Sequence, residues 1–333
     1  MAQINQKLDL NNIPKLVGKS ASATFKKCYS VLDNTRWPLY IVGPSGSGKS
    51  IIAMNLAKKY SIENDVPAYY VQLSPEQTKT SLILGLRLVK GNLEAVNGVV
   101  AQCMEEGGII IVDEATHSTQ EILLMFNSIL DRTSVTAVGD KIVSASESFR
   151  IVFCSNTSTY AGNVKLPQSF AQRLVTFYFD YPTREDEIKI TKSIADDECL
   201  VKIDTPKEVV SYITALVREY RSETFPLSVR NGSIATVLLS LADKKDTGLD
   251  KYFVSGSNVE SVRRNIAKRV FGQETRDVSI LNGPEMGKFC KYISMVGVEE
   301  FKEIVLQSMM YYLDLEQNIF DDNIKKVMKA SII

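Results

Sequence analysis

The octapeptide Gly43-Pro44-Ser45-Gly46-Ser47-Gly48-Lys49-Ser50 meets the pattern G-x-x-x-x-G-K-[ST] at every fixed position. It stands between Leu39-Tyr40-Ile41-Val42, a short apolar run rich in strand formers, and Ile51-Ile52-Ala53-Met54-Asn55-Leu56-Ala57, whose apolar spacing is helical. Strand, glycine loop and helix in that order give these residues a joint physical purpose. The glycines let successive backbone N–H groups curl around phosphate oxygens, and the helix start adds partial positive charge. Gly43 through Ile51 then form the cradle, Lys49 reaches the β- and γ-phosphates, and Ser50 is a Mg²⁺ ligand.

Pro67-Ala68-Tyr69-Tyr70-Val71-Gln72-Leu73 follows at the distance one crossover helix needs and reads as a second strand. This βαβ unit commits the chain to an α/β fold with a parallel sheet. A second chemical segment is Gly107-Gly108-Ile109-Ile110-Ile111-Val112-Asp113-Glu114. Its four β-branched residues read as a strand buried on both faces, and its carboxylates stand at the C-terminal end, where ligands bind in open α/β sheets. Asp113 is placed to hold Mg²⁺ through its water shell, and Glu114 to orient or polarise an attacking water. Further on, Phe149-Arg150-Ile151-Val152-Phe153-Cys154 reads as a strand running into Ser155-Asn156-Thr157. That puts the Asn156 amide within reach of a γ-phosphate or the attacking water, although an Asn at a strand end is also an ordinary turn residue.

The remaining text supplies the frame. Residues 1–12 are polar, and a helix is expected within Ile13 to Leu32. Ser118 to Arg132 reads as one amphipathic helix, and Val135 to Val143 has a hairpin's rhythm about Gly139-Asp140. Leu166 to Leu174 is a short helical stretch presenting Arg173, and Val175 to Asp180 alternates as a closing strand. At Tyr181-Pro182-Thr183 the composition turns helical. Helices are expected near Glu185 to Ile194, Lys207 to Tyr220, Ser233 to Leu241 and Val259 to Val270, and again towards the end, where Phe301, Ile304, Val305, Tyr312 and Leu313 form an apolar stripe. The expected organisation is a polar segment 1–12, an α/β nucleotide-binding domain 13–182, a helical lid domain 183–275 and a helical C-terminal extension 276–333.

The 333 residues suffice for two domains and a core that folds without disulfides or structural metal. Lys+Arg and Asp+Glu both number 39, giving a net charge of zero, so no overall basic field recruits nucleic acid or an anionic membrane, while a local basic patch stays compatible. The five cysteines, Cys28, Cys103, Cys154, Cys199 and Cys290, are scattered, and His117 is the sole imidazole, which argues against zinc and against a disulfide framework. Residues Met1 to Lys7 lack an apolar signal region and no apolar run reaches about 18 residues, so a reducing, cytoplasmic location without membrane insertion is expected.

In order and spacing these elements resemble the AAA+ ATPases, within them the MoxR group, and most of all its CbbQ/NorQ/NirQ branch. Three stretches carry the likeness: Asn97 to Ala101 with Glu106-Gly107-Gly108 up to Asp113-Glu114; Asn156-Thr157-Ser158-Thr159-Tyr160-Ala161-Gly162; and Gln172-Arg173-Leu174 running into Phe179-Asp180-Tyr181-Pro182. The resemblance covers roughly Ile13 to Arg230. It implies a P-loop AAA+ parallel sheet flanked by helices, followed by an all-helical lid. It makes Asn156 sensor 1, Arg173 an arginine finger acting on a neighbouring subunit's nucleotide, and Arg230 sensor 2 on the lid. Val17 and Gly18 match the segment lining the adenine pocket. Leu174 stands where the family usually has Phe, and His117 where relatives have other polar residues. In relatives the region Ser81 to Glu94 carries a helical insert with pore-facing loops; Arg87 and Lys90 there fit either a channel-facing position or, more simply, solvated loop charges.

Together these features predict a Mg²⁺-dependent ATPase, forming a homo-oligomeric, hexameric ring, that remodels or activates a protein client. The resemblance suggests a client with a von Willebrand factor type A domain. GTP is disfavoured because Asp243-Lys244-Lys245-Asp246 lacks the initial Asn of a guanine motif. A DNA-handling AAA+ motor and a small-molecule P-loop kinase are the competing readings. The first calls for salt-dependent DNA binding, the second for a monomer or dimer with an acceptor substrate.

Overall fold

The computed structural model describes residues 7–89, 92–157, 165–198, 207–221 and 227–242. They divide after Tyr181 into two compact units. The first begins with α1 (Lys19–Asn34), β1 (Leu39–Gly43), α2 (Lys49–Asn64) and β2 (Ala68–Gln72). After α3 (Lys79–Leu82) come β3 (Leu84–Val89), β4 (Asn92–Asn97), α4 (Val99–Glu106) and β5 (Ile109–Asp113). Then follow α5 (Gln120–Met125), α6 (Asn127–Leu130), β6 (Val135–Val138), β7 (Lys141–Ser144), β8 (Arg150–Asn156), α7 (Gln168–Ala171) and β9 (Val175–Tyr178).

Five strands form one sheet in the order β2-β5-β8-β1-β9, and each neighbouring pair is parallel. The sheet alternates its side chains between two cores, as the two-residue period of a strand requires. Ile109, Ile111, Val152, Cys154, Leu39 and Ile41 face the core built with α1 and α2, while Ile110, Val112, Phe153 and Tyr40 face the one that includes α4 and α5 residues. All five residues of β5 are buried because helices cover both faces of an inner strand. The fold is thus the P-loop AAA+ α/β architecture, a parallel sheet flanked by helices.

In the first unit two local readings change. The single helix expected over Ser118 to Arg132 is two short helices, α5 and α6, meeting at Phe126. Phe126 keeps a right-handed helical backbone at φ −68° and ψ −17°, and its buried ring packs edge-on to Phe153 at 5.2 Å between centroids. In the region where the resemblance placed a helical insert, β3 and β4 form an antiparallel hairpin instead, with Arg87 opposite Glu94. Gly98 closes its base through a 2.7 Å bond to the Ile83 carbonyl; a Cβ there would stand 2.5 Å from the Leu82 backbone. Ahead of α1, Lys7 bridges to Tyr69 and the Leu8 N–H donates to the Ala68 carbonyl at 2.8 Å, shielding the β2 edge.

The second unit contains α8 (Arg184–Glu198), α9 (Lys207–Tyr220) and α10 (Val229–Ala242). Helix α10 starts at Val229, four residues before the expected Ser233, because the Asn231 carboxamide oxygen accepts from the Ser228 N–H at 2.9 Å and the Ser228 hydroxyl at 2.8 Å, fixing the first turn. Glu187, 1% exposed, takes Arg218 at 2.6 Å and also pairs with Arg221, tying α8 to the end of α9. Lys90, the Ser158 to Gly162 part of the family stretch, the helix expected at Val259 to Val270, the apolar stripe from Phe301 to Leu313 and the extension 276–333 lie outside the described residues.

Candidate functional site

β1 delivers the chain to Gly43, which must be glycine: a Cβ there would stand 1.9 Å from the Phe179 carbonyl oxygen. Pro44 to Gly48 then turn back over the sheet end, with Gly46 at φ 69° and Gly48 at φ 102°, both in the region that favours glycine. Gly48 caps α2 without any side-chain hydrogen bond, and no acid occupies the first turn. The opening N–H groups of Lys49, Ser50 and Ile51 are therefore left to an anion. Ser47 Oγ is buried without a partner, an unmet polar group of the kind a phosphate oxygen or its hydration water would satisfy. The loop fits a polyphosphate on both counts.

Lys49 is buried, and its ammonium donates to the Pro44 carbonyl at 2.7 Å and to Asn156 Oδ1 at 3.0 Å. Burial lowers its pKa below the ordinary lysine value, opposed by the negative charge of Glu114 and Asp113 nearby. Asn156 reaches this position because β8 runs beside β1 with Asn156 opposite Gly43. Its Nδ2 donates towards Glu114, 3.3 and 3.5 Å from the two carboxylate oxygens. Glu114 itself has φ 53°, a left-handed backbone that costs a non-glycine residue about 1–2 kcal/mol and turns its carboxylate towards β8. Lysine, amide and carboxylate thus form a continuous hydrogen-bonded line across the C-terminal ends of β1, β8 and β5.

Asp113 is 6% exposed. Its Oδ1 accepts from the Glu114 N–H and its Oδ2 from the Tyr70 hydroxyl, both at 2.9 Å. Burial first, then the carboxylate beside it, pushes the Tyr70 phenol well above its ordinary pKa. Ser50 lies in the first turn of α2; its hydroxyl and the Asp113 carboxylate are hard oxygen donors of the kind that could hold a divalent cation.

Val17 and Gly18 lead into α1, and the segment just before them is held to α2 by the Asn55 side chain, which donates to the Pro14 carbonyl at 3.0 Å. His117 approaches Glu114 at 4.0 Å. Arg173 lies elsewhere: its guanidinium makes two parallel bonds to Asp131, at 2.9 and 3.2 Å, and a third to the Ser169 carbonyl at 2.6 Å. Arg230 is the second residue of α10 and belongs to the second unit. Two tyrosines received no role from sequence. Tyr70 was visible only as part of a strand, and Tyr181, whose hydroxyl donates to the Ser45 carbonyl at 2.9 Å, only as part of a family stretch.

Among known proteins, an uncharacterized protein of Staphylococcus aureus strain NCTC 8325 / PS 47 is 26% identical over 199 residues, covering 57% of this chain and 72% of that one. Its counterpart in strain COL matches equally. NtrX from Brucella abortus shares the fold, with a TM-score of 0.54 at 16% identity over 90% of this chain and 70% of that one. For NtrX in complex with ADP the TM-score is 0.52 at 18% identity, covering 84% and 69%. Residues 38–174, the segment that carries the glycine loop, the paired acids and Asn156, match the model of the AAA domain of the dynein-related subfamily.

Proposed function

We propose that this chain is a Mg²⁺-dependent ATPase of the AAA+ class that works as a ring, hexameric in the form its resemblance to the MoxR group suggests. The observation that carries the reading is the hydrogen-bonded line from Lys49 through Asn156 to Glu114 over the glycine loop. The loop N–H groups and Lys49 bind the phosphates, and Ser50 and Asp113 hold the cation. When bound, Mg²⁺ offsets charge that develops on the phosphoryl oxygens. Glu114 orients the attacking water, and Asn156 keeps both its carboxylate and the Lys49 ammonium in register. Val17 and Gly18 border the base, and ATP is favoured over GTP.

Arg173, on this reading, serves the nucleotide of the adjacent subunit, where an arginine finger supplies about 10³- to 10⁵-fold in rate. Arg230 senses the γ-phosphate from the helical unit. Residues 183–275 act as the lid, and the ring turns lid motion into remodelling or activation of a protein client in the cytoplasm. The likeness to the CbbQ/NorQ/NirQ branch supports a client bearing a von Willebrand factor type A domain. Among the described residues, no helix is long and apolar enough to cross a membrane.

Mixing two dead variants tests the shared site. Lys49→Ala and Arg173→Ala each abolish turnover alone, and mixed rings regain it at interfaces that pair an intact Lys49 with an intact Arg173. Absence of recovery in rings shown to be mixed refutes the trans assignment, and full turnover by Glu114→Gln refutes the hydrolytic one.

A further inference from the structure

Asp113 is bracketed from two strands. Its backbone ends β5 and the Glu114 N–H follows directly after that strand, but its second oxygen is reached from β2, where Gln72 lies opposite Asp113 and Tyr70 opposite Ile111. Tyr70 and Gln72 share a sheet face, so the phenol stands one pleat back along the strand and its length carries the hydroxyl forward to Oδ2 at 2.9 Å. The ring itself is half-buried against the core that holds Ile109 and Ile111, which anchors it independently of any ligand.

A carboxylate held by a single bond to the following N–H remains free to swing about its terminal torsion, whose energy wells are broad. A second bond from an anchored phenol removes that freedom and fixes the plane of the two oxygens. We propose that Tyr70 is a positioning residue for the metal-holding carboxylate, fixing the plane of Asp113 so that its remaining lone pairs would be presented to a divalent cation. The inference rests on Asp113 serving Mg²⁺. It extends that reading to a residue whose chemistry contributes nothing to phosphate binding itself. Donors that orient a metal ligand change metal affinity by about 10- to 100-fold when removed. Because the Oδ1 bond survives, the lower end applies here.

The test uses Tyr70→Phe, which keeps the ring and deletes only the donor, and reads equilibrium binding of a fluorescent ATP analogue to the full chain, with Mg²⁺ and with EDTA. The quantity of interest is the ratio of the two dissociation constants, the increment due to the cation. Tyr70→Phe should bind as the wild type does in EDTA and lose about tenfold of the Mg²⁺ increment. Asp113→Asn should lose the increment entirely, and adding Tyr70→Phe to it should change nothing further. A wild-type increment in Tyr70→Phe beside a lost one in Asp113→Asn overturns the role of Tyr70 alone. A wild-type increment in Asp113→Asn overturns the metal reading and the Tyr70 role with it.

Discussion

Gly43→Ala is the substitution whose outcome the structure defines most sharply. The added Cβ would lie 1.9 Å from the Phe179 carbonyl oxygen and 2.9 Å from its carbon, so the chain beyond β9 must retreat from the end of β1 by about 1.5 Å to restore ordinary contact. That retreat breaks the 2.8 Å bond from the Phe179 N–H to the Val42 carbonyl, worth about 1 kcal/mol net. It also uncovers part of the buried Phe179 ring. Forced over-packing adds about 1–3 kcal/mol. The sum, about 2–4 kcal/mol, is a large share of a domain's typical 5–15 kcal/mol. With a urea m-value of about 2 kcal/mol/M, the midpoint should fall by about 1–2 M. The single tryptophan, Trp37, lies just before β1 and is 55% exposed, so its fluorescence follows unfolding of this unit. Gly48→Ala is the control: its Cβ meets nothing nearer than the Phe179 ring at 3.7 Å, leaving only the strain of φ 102°, about 1–2 kcal/mol. An unchanged midpoint for Gly43→Ala, or a larger loss for Gly48→Ala, would refute the close approach of Phe179 to the loop.

Asn156→Ala removes the acceptor of Lys49 and the donor to Glu114 and should lower kcat by about 10²-fold while leaving the Trp37 unfolding curve nearly in place. Glu187→Ala strands Arg218 and Arg221 around a buried position and should destabilise the helical unit by about 3–5 kcal/mol, read as lost hydrogen-exchange protection in α8 to α10. Burial lowers the Lys49 pKa in the free protein, whereas bound polyphosphate favours the charged ammonium. Nucleotide binding should therefore take up a proton at alkaline pH and weaken as pH rises through that range. Calorimetry in buffers of differing ionisation enthalpy checks this, and Lys49→Met should abolish the uptake.

The glycine loop was legible because its geometry is local: eight contiguous residues, a strand before and a helix after. Asp113 and Glu114 were legible for a similar reason, four β-branched residues ending in two acids. Asn156 could be placed at a strand end, but its bonds to Lys49 and Glu114 depend on β8 lying between β5 and β1, a non-local pairing that periodicity does not encode. Tyr70 was out of reach altogether. A tyrosine in a strand reads as core, and only the adjacency of β2 and β5 turns it towards Asp113. The break at Phe126 was hidden because α5 and α6 keep one apolar stripe. The β3–β4 hairpin carries the two-residue alternation Leu84, Leu86, Leu88, the period of a strand, where the family resemblance placed a helical insert.

The same register explains how the loop is tied to the way out of the first unit. β1 lies between β8 and β9, so its C-terminal end meets Asn156 on one side and the Phe179 segment on the other. Two residues past Phe179, Tyr181 ends the unit and donates its hydroxyl to the Ser45 carbonyl inside the loop. Loop and exit segment are therefore joined at two points, a steric contact at Gly43 and a hydrogen bond at Ser45. Any movement of the loop backbone on gaining or losing phosphate must drag residues 179–181 or break the Tyr181 bond. Close packing favours the first outcome, because the Gly43 contact leaves no slack to absorb the shift.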